Sequence, residues 1–220
     1  MKLYLFFGPP GSGKGTQANL IKQKFPKTLY LSTGDYMRYH IKNQTEIGKM
    51  AQNYINQGML VPSSLINKLV LEEINKMKTN NPSQIVILDG YPRTIEQLQF
   101  LIQNISKPYL TIFFDISLEK IIERICLRRI CPKCNSIYHL IYQKPQNNER
   151  CDFCNIPLIQ REDDNEEIVK KRYEIYKAET LPVIKEIENQ NLQIVFVNSS
   201  QEITKIFEQI LPYFETNSQE

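Results

Sequence analysis

The stretch Gly8-Pro-Pro-Gly-Ser-Gly-Lys-Gly-Thr16 decides the fold of this chain. It resembles the phosphate-loop pattern G-x-x-x-x-G-K-[ST], except that Gly15 stands where the pattern has Ser or Thr. The apolar run at residues 2–7 predicts a buried strand before the loop, and residues 16–25 predict a helix after it. Glycines let backbone N–H groups converge on an anion, and a helix N-terminus attracts negative charge. The stretch therefore predicts a cradle for a polyphosphate.

The side chains of this loop favour nucleotide binding. A glycine-rich turn between a strand and a helix can be a turn and nothing more. Here, however, Lys14 is placed to reach the outer phosphates of a nucleotide, and the Thr16 hydroxyl is placed to reach a bound Mg2+. We therefore expect the phosphates to be held by the loop residues Gly8, Gly11, Ser12, Gly13, Lys14, Gly15 and Thr16.

Composition limits the function classes that remain. The chain has 220 residues, of which 41% are hydrophobic, enough for one sizeable core with a small insert. The net charge of +3 is mild, and no dense Lys/Arg stripe interleaved with aromatic residues indicates a nucleic-acid surface. No apolar run is long enough to predict a membrane span, and no cleavable signal segment is predicted. We expect a cytoplasmic protein whose partners are neither nucleic acid nor membrane.

Four of the five cysteines form two Cys-x-x-Cys pairs, Cys131 with Cys134 and Cys151 with Cys154. Without a predicted export signal, this spacing favours tetrahedral Zn2+ over disulfides. Four thiolates fill the zinc coordination shell and leave no position for a reactive water, so the predicted site is structural. Cys126 lies on a predicted helix among apolar residues and is most simply a small core residue.

The order of predicted elements indicates an α/β fold. Strands are predicted at residues 2–7, 28–31, 84–88, 109–115 and 192–197, with helices between them. Continuous apolar runs suit strands covered on both faces, and intervening helices supply the crossovers of parallel strands. The sequence therefore predicts a doubly wound, five-stranded parallel sheet. Ligands in such sheets bind beyond the carboxyl ends of the strands.

A second motif, LSTGDYMR at residues 31–38, follows the second predicted strand. Ser32, Thr33 and Asp35 are residue types that cap helix N-termini, so the motif can be read as a helix start with a solvated Arg38. Arg38 nevertheless falls one turn into that helix, where it can face the same cavity as the phosphate loop. The cap and a binding role are compatible.

A third motif, ILDGYPRTIEQ at residues 87–97, follows the third predicted strand. Asp89 stands at the strand's carboxyl end, where a carboxylate can orient a metal ion. Arg93 offers a planar guanidinium for phosphate, and the Gln97 amide can pair with both a donor and an acceptor on adenine. The alternative is a chance Arg and Gln on a surface helix. We expect both Lys14 and Arg93 to be solvated in the empty cleft.

Arginines accumulate around the cysteine segment. Arg124 and Arg128 precede it at an i, i+4 spacing, and Arg161 and Arg172 follow it. The carboxylates of Asp163 and Asp164 can cap the helix predicted to start near Asp163 and can favour its positive end.

Together these motifs resemble the adenylate kinase family in its long form with a zinc-bearing lid, over nearly the whole chain and most strongly at residues 6–38, 85–97 and 124–172. The resemblance implies a P-loop NTPase fold and reversible transfer of a phosphoryl group from ATP to AMP, giving two ADP, with Mg2+. It implies that ATP is also contacted by Arg124, Arg128 and His139. It implies an AMP site formed by Thr33, Gly34, Arg38, Met59, Val61, Gly90, Arg93, Gln97, Arg161 and Arg172.

The resemblance also assigns chemistry and domains. Catalysis would rest on Lys14, Arg93, Arg128, Arg161 and Arg172, with Thr16 and Asp89 serving Mg2+ indirectly. Asp163 and Asp164 would help hold a closed lid through the phosphate-binding arginines. The core would span residues 1–128 and 162–220, including a monophosphate-binding segment at 32–62, and the lid would span 129–161. We expect a monomer with one structural Zn2+.

Two other functions fit parts of the sequence. A monophosphate kinase for UMP, CMP or GMP would keep the cradle and change the base contacts, but Thr33 and Gln97 argue against it. A P-loop ATPase with a zinc-ribbon nucleic-acid insert would need a residue to orient water beside the metal-binding carboxylate, whereas Asp89 is followed by Gly90.

Overall fold

Five parallel strands form the central sheet of the protein, seen in a computed structural model that describes residues 1–80, 85–147 and 149–215, the side chains of residues 79 and 80 excepted. The strands in chain order are β1 (Lys2–Phe7), β2 (Thr28–Ser32), β3 (Ile85–Asp89), β4 (Leu110–Asp115), β5 (Arg128–Ile130), β6 (Ile137–His139) and β7 (Ile194–Asn198). The sheet has the order β2-β3-β1-β4-β7, and each neighbouring pair is parallel. The predicted doubly wound parallel sheet is confirmed.

Helices connect these strands and cover them. In chain order they are α1 (Lys14–Lys24), α2 (Thr33–Lys42), α3 (Glu46–Asn56), α4 (Ser63–Asn80), α5 (Ile95–Asn104), α6 (Leu118–Cys126), α7 (Glu166–Ile175), α8 (Leu181–Asn189), α9 (Ile203–Ile210) and α10 (Pro212–Glu215). A short π-helical segment, Tyr176–Thr180, joins α7 to α8. None of the helices within the described ranges combines the length and apolar character that a bilayer span needs.

Both faces of the central strands β1, β3 and β4 are buried, which explains why these strands are almost continuously apolar. On one face, Leu3 and Leu5 of β1 pack with residues of α4, α5 and α8. On the other face, Tyr4 and Phe6 pack with residues of α1, α9 and α10. Successive side chains of a strand point to opposite faces, so β1 supplies both layers of the core. This burial fixes the sheet firmly enough to position the loops at its edge.

The register of the sheet brings three motifs together. Phe6 of β1 and Ser32 of β2 are both in register with Asp89 of β3, which lies between these strands. All three strands end at the same edge of the sheet because they are parallel. The phosphate loop, the start of α2 and the segment after Asp89 therefore meet at one place.

The segment between α6 and α7 forms a small β-rich insert. Strands β5 and β6 pair antiparallel, and Ile130 of β5 also bridges to Ile159 on the returning chain. Its buried apolar cluster consists of Cys131, Tyr138 and Cys151. So few buried side chains supply little hydrophobic stabilisation.

The predicted strand boundaries agree with the structure to within about two residues. The fifth sheet strand begins at Ile194 where residue 192 was predicted, and β3 begins at Ile85. Residue 84, predicted to start that strand, lies outside the described residues.

Candidate active site

A large cavity of about 850 Å3 opens at the carboxyl ends of β1, β2 and β3. Among the described residues it brings together nearly all of the predicted nucleotide and metal-orienting positions. These are Gly8, Gly11, Gly13, Lys14, Gly15, Thr16, Thr33, Gly34, Arg38, Met59, Val61, Asp89, Gly90, Arg93, Gln97, Arg124, Arg128, His139, Arg161 and Arg172. The exception is Ser12, which is fully buried behind the loop.

The phosphate loop owes its path to glycine. Gly13 precedes α1 with a φ of +89°, in the left-handed region that side chains disfavour. A Cβ added at Gly11 would lie 2.7 Å from Ile125, so α6 packs directly against the loop. The backbone N–H groups at the start of α1 thus face the cavity without side chains in between, as anion binding requires.

Lys14 is folded into this loop. Its Nζ donates to the carbonyl oxygens of Gly8 and Pro9, each at 2.9 Å, and to Ser12 Oγ at 3.2 Å. The side chain is only 11% exposed. Burial lowers the pKa of Lys14 to about 8, although the nearby Asp89 carboxylate opposes the shift. The expectation of a solvated Lys14 is therefore wrong, because the loop's own carbonyl groups take the place of water around the ammonium group.

Asp89 has two different neighbours. One carboxylate oxygen accepts a hydrogen bond from the Tyr30 hydroxyl at 2.9 Å, and the other lies 3.9 Å from Lys14 Nζ. Burial and the Asp89 charge raise the pKa of Tyr30, so its hydroxyl remains a donor. Thr16 lines the same cavity. A carboxylate and a hydroxyl are ligand types that suit Mg2+ and its coordinated waters.

The first turn of α2 presents charge to the other side of the cavity. Ser32 caps the helix by accepting from the Asp35 backbone N–H, as the sequence predicts. Arg38 pairs with Asp35 at 2.7 Å and faces the cavity. Burial works against ionisation of Asp35, but Arg38 and Arg161 together lower its pKa. The predicted cap and the predicted orientation of Arg38 occur in the same turn.

Gly90 allows close contacts that a side chain would prevent. Its φ is +75°, and an added Cβ would lie 2.7 Å from the Arg93 guanidinium and 2.9 Å from Thr33 Oγ1. Its carbonyl oxygen accepts from Thr33 Oγ1 at 2.8 Å and from Arg93 Nε at 2.9 Å. Burial lowers the pKa of Arg93, so the expectation that Arg93 is solvated is also wrong.

Gln97 is less free than the sequence suggests. It is 3% exposed, its Oε1 accepts from the Arg93 backbone N–H at 2.8 Å, and its Nε2 lies 3.4 Å from Ser63 Oγ. The amide still lines the cavity. One lone pair and one N–H are left to meet a base, because the others are already used within the protein.

Three arginines beside the insert pair with carboxylates, of which Asp163 and Asp164 are buried and Asp35 is partly exposed. Arg128 makes two hydrogen bonds to Asp164, one of 2.8 Å from Nε, and Arg172 bonds Asp163 at 2.7 Å. Arg161 reaches across the cavity to Asp35 at 2.9 Å. Burial, reinforced by neighbouring arginines, lowers the pKa of Arg161 to about 10.

The helix-capping alternative for Asp163 and Asp164 is wrong. Helix α7 begins at Glu166, and its N-cap is Asn165, whose side chain accepts from the Ile168 backbone N–H. The two aspartates face inwards because the buried guanidinium groups need counter-charges.

Positive charge predominates around the cavity. The described lining carries eight Lys or Arg side chains against four carboxylates, those of Asp35, Asp89, Asp163 and Glu202. Guanidinium groups match phosphate oxygens in geometry as well as charge. The arrangement can therefore hold several phosphate groups close together.

His139 lies under the outer part of the cavity. Its ring stacks on Tyr142 with centroids 4.7 Å apart, and its Nδ1 accepts from the backbone N–H groups of Ile141 and Tyr142, each at 3.1 Å. Nδ1 is thus the acceptor, and burial lowers the pKa of the ring. Nε2 then carries the hydrogen in the neutral ring. The ring and Arg124 can meet a flat, polar ligand there.

The four paired cysteines converge in the insert. The sulfur atoms of Cys131, Cys134, Cys151 and Cys154 all lie within 4.8 Å of one another, close enough to share a metal ion. Burial favours the neutral thiol, but hydrogen bonds from the Tyr138 hydroxyl and the backbone N–H groups of Cys154 and Phe153 lower the pKa of Cys151 to about 6. The cluster fits a tetrahedral thiolate site. Cys126 stays outside it.

Comparison with known proteins gives the family. The adenylate kinase family model matches residues 6–192. The chain belongs to the adenylate kinase family. It is 41% identical to the adenylate kinase of Petrotoga mobilis over 94% of both chains, and 39% identical to that of Pyrococcus furiosus over 94% of this chain and 93% of the relative. The adenylate kinase of Caldicellulosiruptor bescii is 42% identical over 89% of this chain and 90% of its own. The predicted enzyme class, an ATP:AMP phosphotransferase, is confirmed, and the other two functions are not favoured.

Two contacts of this adenylate kinase chain had no clear signal in the sequence. Tyr30 is partly buried in the middle of β2 and its hydroxyl contacts Asp89, while Asp35 pairs with Arg161 as well as with Arg38 of its own helix. Both contacts join residues distant in sequence. The hint in the sequence is a tyrosine two residues before the end of β2 together with a glycine at position 15 of the loop: an added Cβ at Gly15 would lie 3.1 Å from the Tyr30 hydroxyl.

Proposed function

We propose that the cavity binds ATP along the phosphate loop and AMP against α2 and α5, and that it transfers the terminal phosphoryl group of ATP reversibly to AMP. The observation that carries this proposal is the cavity's charge, eight basic side chains against four carboxylates, distributed between the phosphate loop and the acceptor side. A single nucleotide would not require basic side chains both at the phosphate loop and on the acceptor side. Two phosphorylated ligands facing each other would.

On the donor side, Lys14 and the loop N–H groups would bind the ATP phosphates. Thr16 and Asp89 would hold Mg2+ indirectly, through its waters. When bound with ATP, Mg2+ neutralises negative charge on the transferred γ-phosphoryl group and on the leaving β-phosphate. Arg124 and His139 would contact the adenine of ATP.

On the acceptor side, Arg38 and Arg93 would bind the AMP phosphate, and Thr33 and Gln97 would meet its base. Gly34, Met59, Val61 and Gly90 would shape the remaining wall. The phosphate of AMP is largely dianionic at neutral pH because its second ionisation falls near pH 6, so no general base is required.

Between the two ligands, Arg128, Arg161 and Arg172 would stabilise charge on the transferring group. Phosphoryl transfer depends mainly on positioning and on such electrostatic stabilisation. We propose that the insert, residues 129–161, acts as a lid over the core formed by 1–128 and 162–220, and keeps out water that would compete as acceptor. The contact between Arg161 and Asp35 supports this, since it joins the two sides of the cavity.

We propose that the four-cysteine cluster holds one structural Zn2+. The positions of the four sulfur atoms support this proposal, because they lie close enough together for four thiolates to fill a zinc coordination shell. We further expect the protein to be cytoplasmic and monomeric. Size-exclusion chromatography of the purified protein would check the monomeric state.

An acceptor panel tests the proposed function. Purified enzyme with MgATP would be offered AMP, CMP, UMP or GMP in a coupled assay that measures diphosphate formation. AMP should be phosphorylated far faster than the others, with almost no ATP consumption when acceptor is omitted. Equal or faster use of CMP or UMP would instead indicate another monophosphate kinase, and acceptor-independent hydrolysis would indicate an ATPase.

A further inference from the structure

A buried polar network lies behind the acceptor wall of the cavity. The Tyr91 side chain is 1% exposed and Asn67 is 6% exposed, and neither is among the described residues that line the cavity. The Tyr91 hydroxyl donates to Asn67 Oδ1 at 2.8 Å and lies 3.2 Å from the backbone carbonyl oxygen of Gln97. Asn67 belongs to α4 and Gln97 to the first turn of α5. The single hydrogen of this hydroxyl, shared between the two acceptor oxygens in a three-centre hydrogen bond, therefore contacts both helices.

This network continues to the acceptor site through Gln97. The Gln97 side chain accepts from the Arg93 backbone N–H at 2.8 Å, and its own backbone N–H donates to Thr94 Oγ1 at 3.2 Å. Gln97 and Arg93 both line the cavity. The Tyr91 hydroxyl thus contacts the backbone of Gln97, whose amide is proposed to face the base, and is linked through Gln97 to Arg93, whose guanidinium is proposed to face the phosphate.

Packing alone does not explain the hydroxyl. Phenylalanine would fill the same apolar space among the core residues around Tyr91. A buried hydroxyl and a buried amide each carry a desolvation cost, which their mutual hydrogen bond offsets. Burial raises the pKa of Tyr91, so the hydroxyl remains a donor at working pH. The hydrogen bonds of the Tyr91 hydroxyl therefore fix the distance and orientation of α4 relative to the first turn of α5, which an apolar contact would not do.

We propose that Tyr91 is a positioning residue for the acceptor: it holds the first turn of α5 against α4, and so aims Gln97 and Arg93 at the bound monophosphate. It acts through these residues and does not touch the substrate. The inference rests on the acceptor site proposed above. It predicts that loss of the Tyr91 hydroxyl weakens the binding of AMP and leaves the binding of ATP unchanged.

The test begins with Tyr91→Phe, which removes only the hydroxyl. The KM for AMP should rise about three- to tenfold, the range expected for a lost neutral hydrogen bond, and the preference for AMP over CMP should fall. The KM for ATP should stay within about twofold of the wild-type value. Tyr4→Phe is the matched control, because Tyr4 is fully buried and its hydroxyl donates to the Tyr213 carbonyl oxygen, away from the cavity lining.

A second variant separates positioning from stability. Tyr91→Phe leaves Asn67 Oδ1 without this partner, so the melting temperature should fall. The double variant Tyr91→Phe/Asn67→Leu replaces both partners by apolar groups, which is often nearly neutral for stability. Its melting temperature should recover, while the raised KM for AMP should persist because α5 remains untied. If the KM recovers together with the melting temperature, the role is structural only and the inference is wrong.

The outcomes also distinguish the inference from the proposed function. A wild-type enzyme without preference for AMP would overturn the proposed acceptor site itself. If wild type and Tyr4→Phe both prefer AMP, and Tyr91→Phe retains the same preference and the same KM for AMP, only the positioning role of Tyr91 is overturned.

Discussion

At the scale of single residues, Lys14 shows how a buried positive charge is stabilised in this site before any ligand binds. The ammonium group is surrounded by two carbonyl oxygens and a hydroxyl of its own loop, with Asp89 at 3.9 Å. Burial lowers its pKa to about 8, so the free protein loses this charge as the pH rises through 8. A bound phosphate adds negative charge beside the group, favours its protonated form and raises its pKa again.

We therefore expect proton uptake when MgATP binds near pH 8. Calorimetry in buffers of different ionisation enthalpy measures directly the number of protons taken up per MgATP bound. Wild type should take up a substantial fraction of a proton at pH 8 and little at pH 7, where Lys14 is already mostly charged. Lys14→Met should bind MgATP more weakly and take up almost none. Binding by wild type at pH 8 without proton uptake would show that Lys14 is not the group that meets the phosphates.

Arg93 supports a second prediction, on the acceptor side. Its guanidinium is held by the Gly90 carbonyl oxygen and lines the cavity. Arg93→Ala should lower kcat/KM for AMP by about two or more orders of magnitude, since a charge-assisted contact with a phosphate is lost. The affinity for ATP should change much less. Arg129→Ala is a suitable comparison, because Arg129 bonds only to backbone carbonyl groups and does not belong to the described cavity lining. Equal losses for both nucleotides would remove Arg93 from the acceptor site.

At the scale of elements, the pattern of apolar residues was sufficient to predict the sheet. The central strands β1, β3 and β4 are buried on both faces, so their composition reflects their position directly, as in β3, which reads Ile-Val-Ile-Leu-Asp over Ile85–Asp89. Local capping could be predicted for α2, where Ser32 bonds within its own turn. It could not be predicted for α7, because the aspartates before it are drawn to arginines 9 and 36 residues away. Lys14 and Gln97 are more engaged than expected for a local reason, because backbone groups of their own loops bond their side chains: the carbonyl groups of Gly8 and Pro9 bond Lys14, and the Arg93 N–H bonds Gln97.

The ion pair between Arg128 and Asp164 should be the costliest one to break. It joins β5 to the segment before α7, and the Asp164 side chain is fully buried. Asp164→Asn removes the charge while keeping the shape, and leaves Arg128 buried without its closest counter-charge. The free energy of unfolding should fall by about 3 to 5 kcal/mol, as measured by urea denaturation.

An exposed pair provides the control for that measurement. Glu46 and Lys49 form a 3.0 Å pair within α3, and their side chains are 88% and 59% exposed. Glu46→Gln should therefore cost between about 0 and 1 kcal/mol. Similar values for Glu46→Gln and Asp164→Asn would mean that the Arg128 pair is solvated in the folded protein.

At the scale of the whole molecule, the insert is tied to the core by polar contacts. Arg161 bonds Asp35 at 2.9 Å, and Lys42 of α2 donates to the Pro132 carbonyl oxygen at 3.0 Å, inside the first Cys-x-x-Cys turn. The insert thus touches the acceptor side of the cavity directly. Its own apolar core is small, so its shape must be fixed by something other than hydrophobic burial.

Metal is the predicted source of that stability. The wild-type chain should contain about one zinc by elemental analysis, and Cys151→Ser should lose it and melt at a lower temperature, because metal binding at four thiolates stabilises the folded insert. Turnover of Cys151→Ser at low temperature should stay substantial, since the arginines that line the cavity lie outside both Cys-x-x-Cys turns. Cys126→Ser is the matched control, because Cys126 is free and outside the cluster, and it should keep its zinc. A wild-type protein that is metal-free as purified and unchanged in melting temperature by added zinc would contradict this prediction.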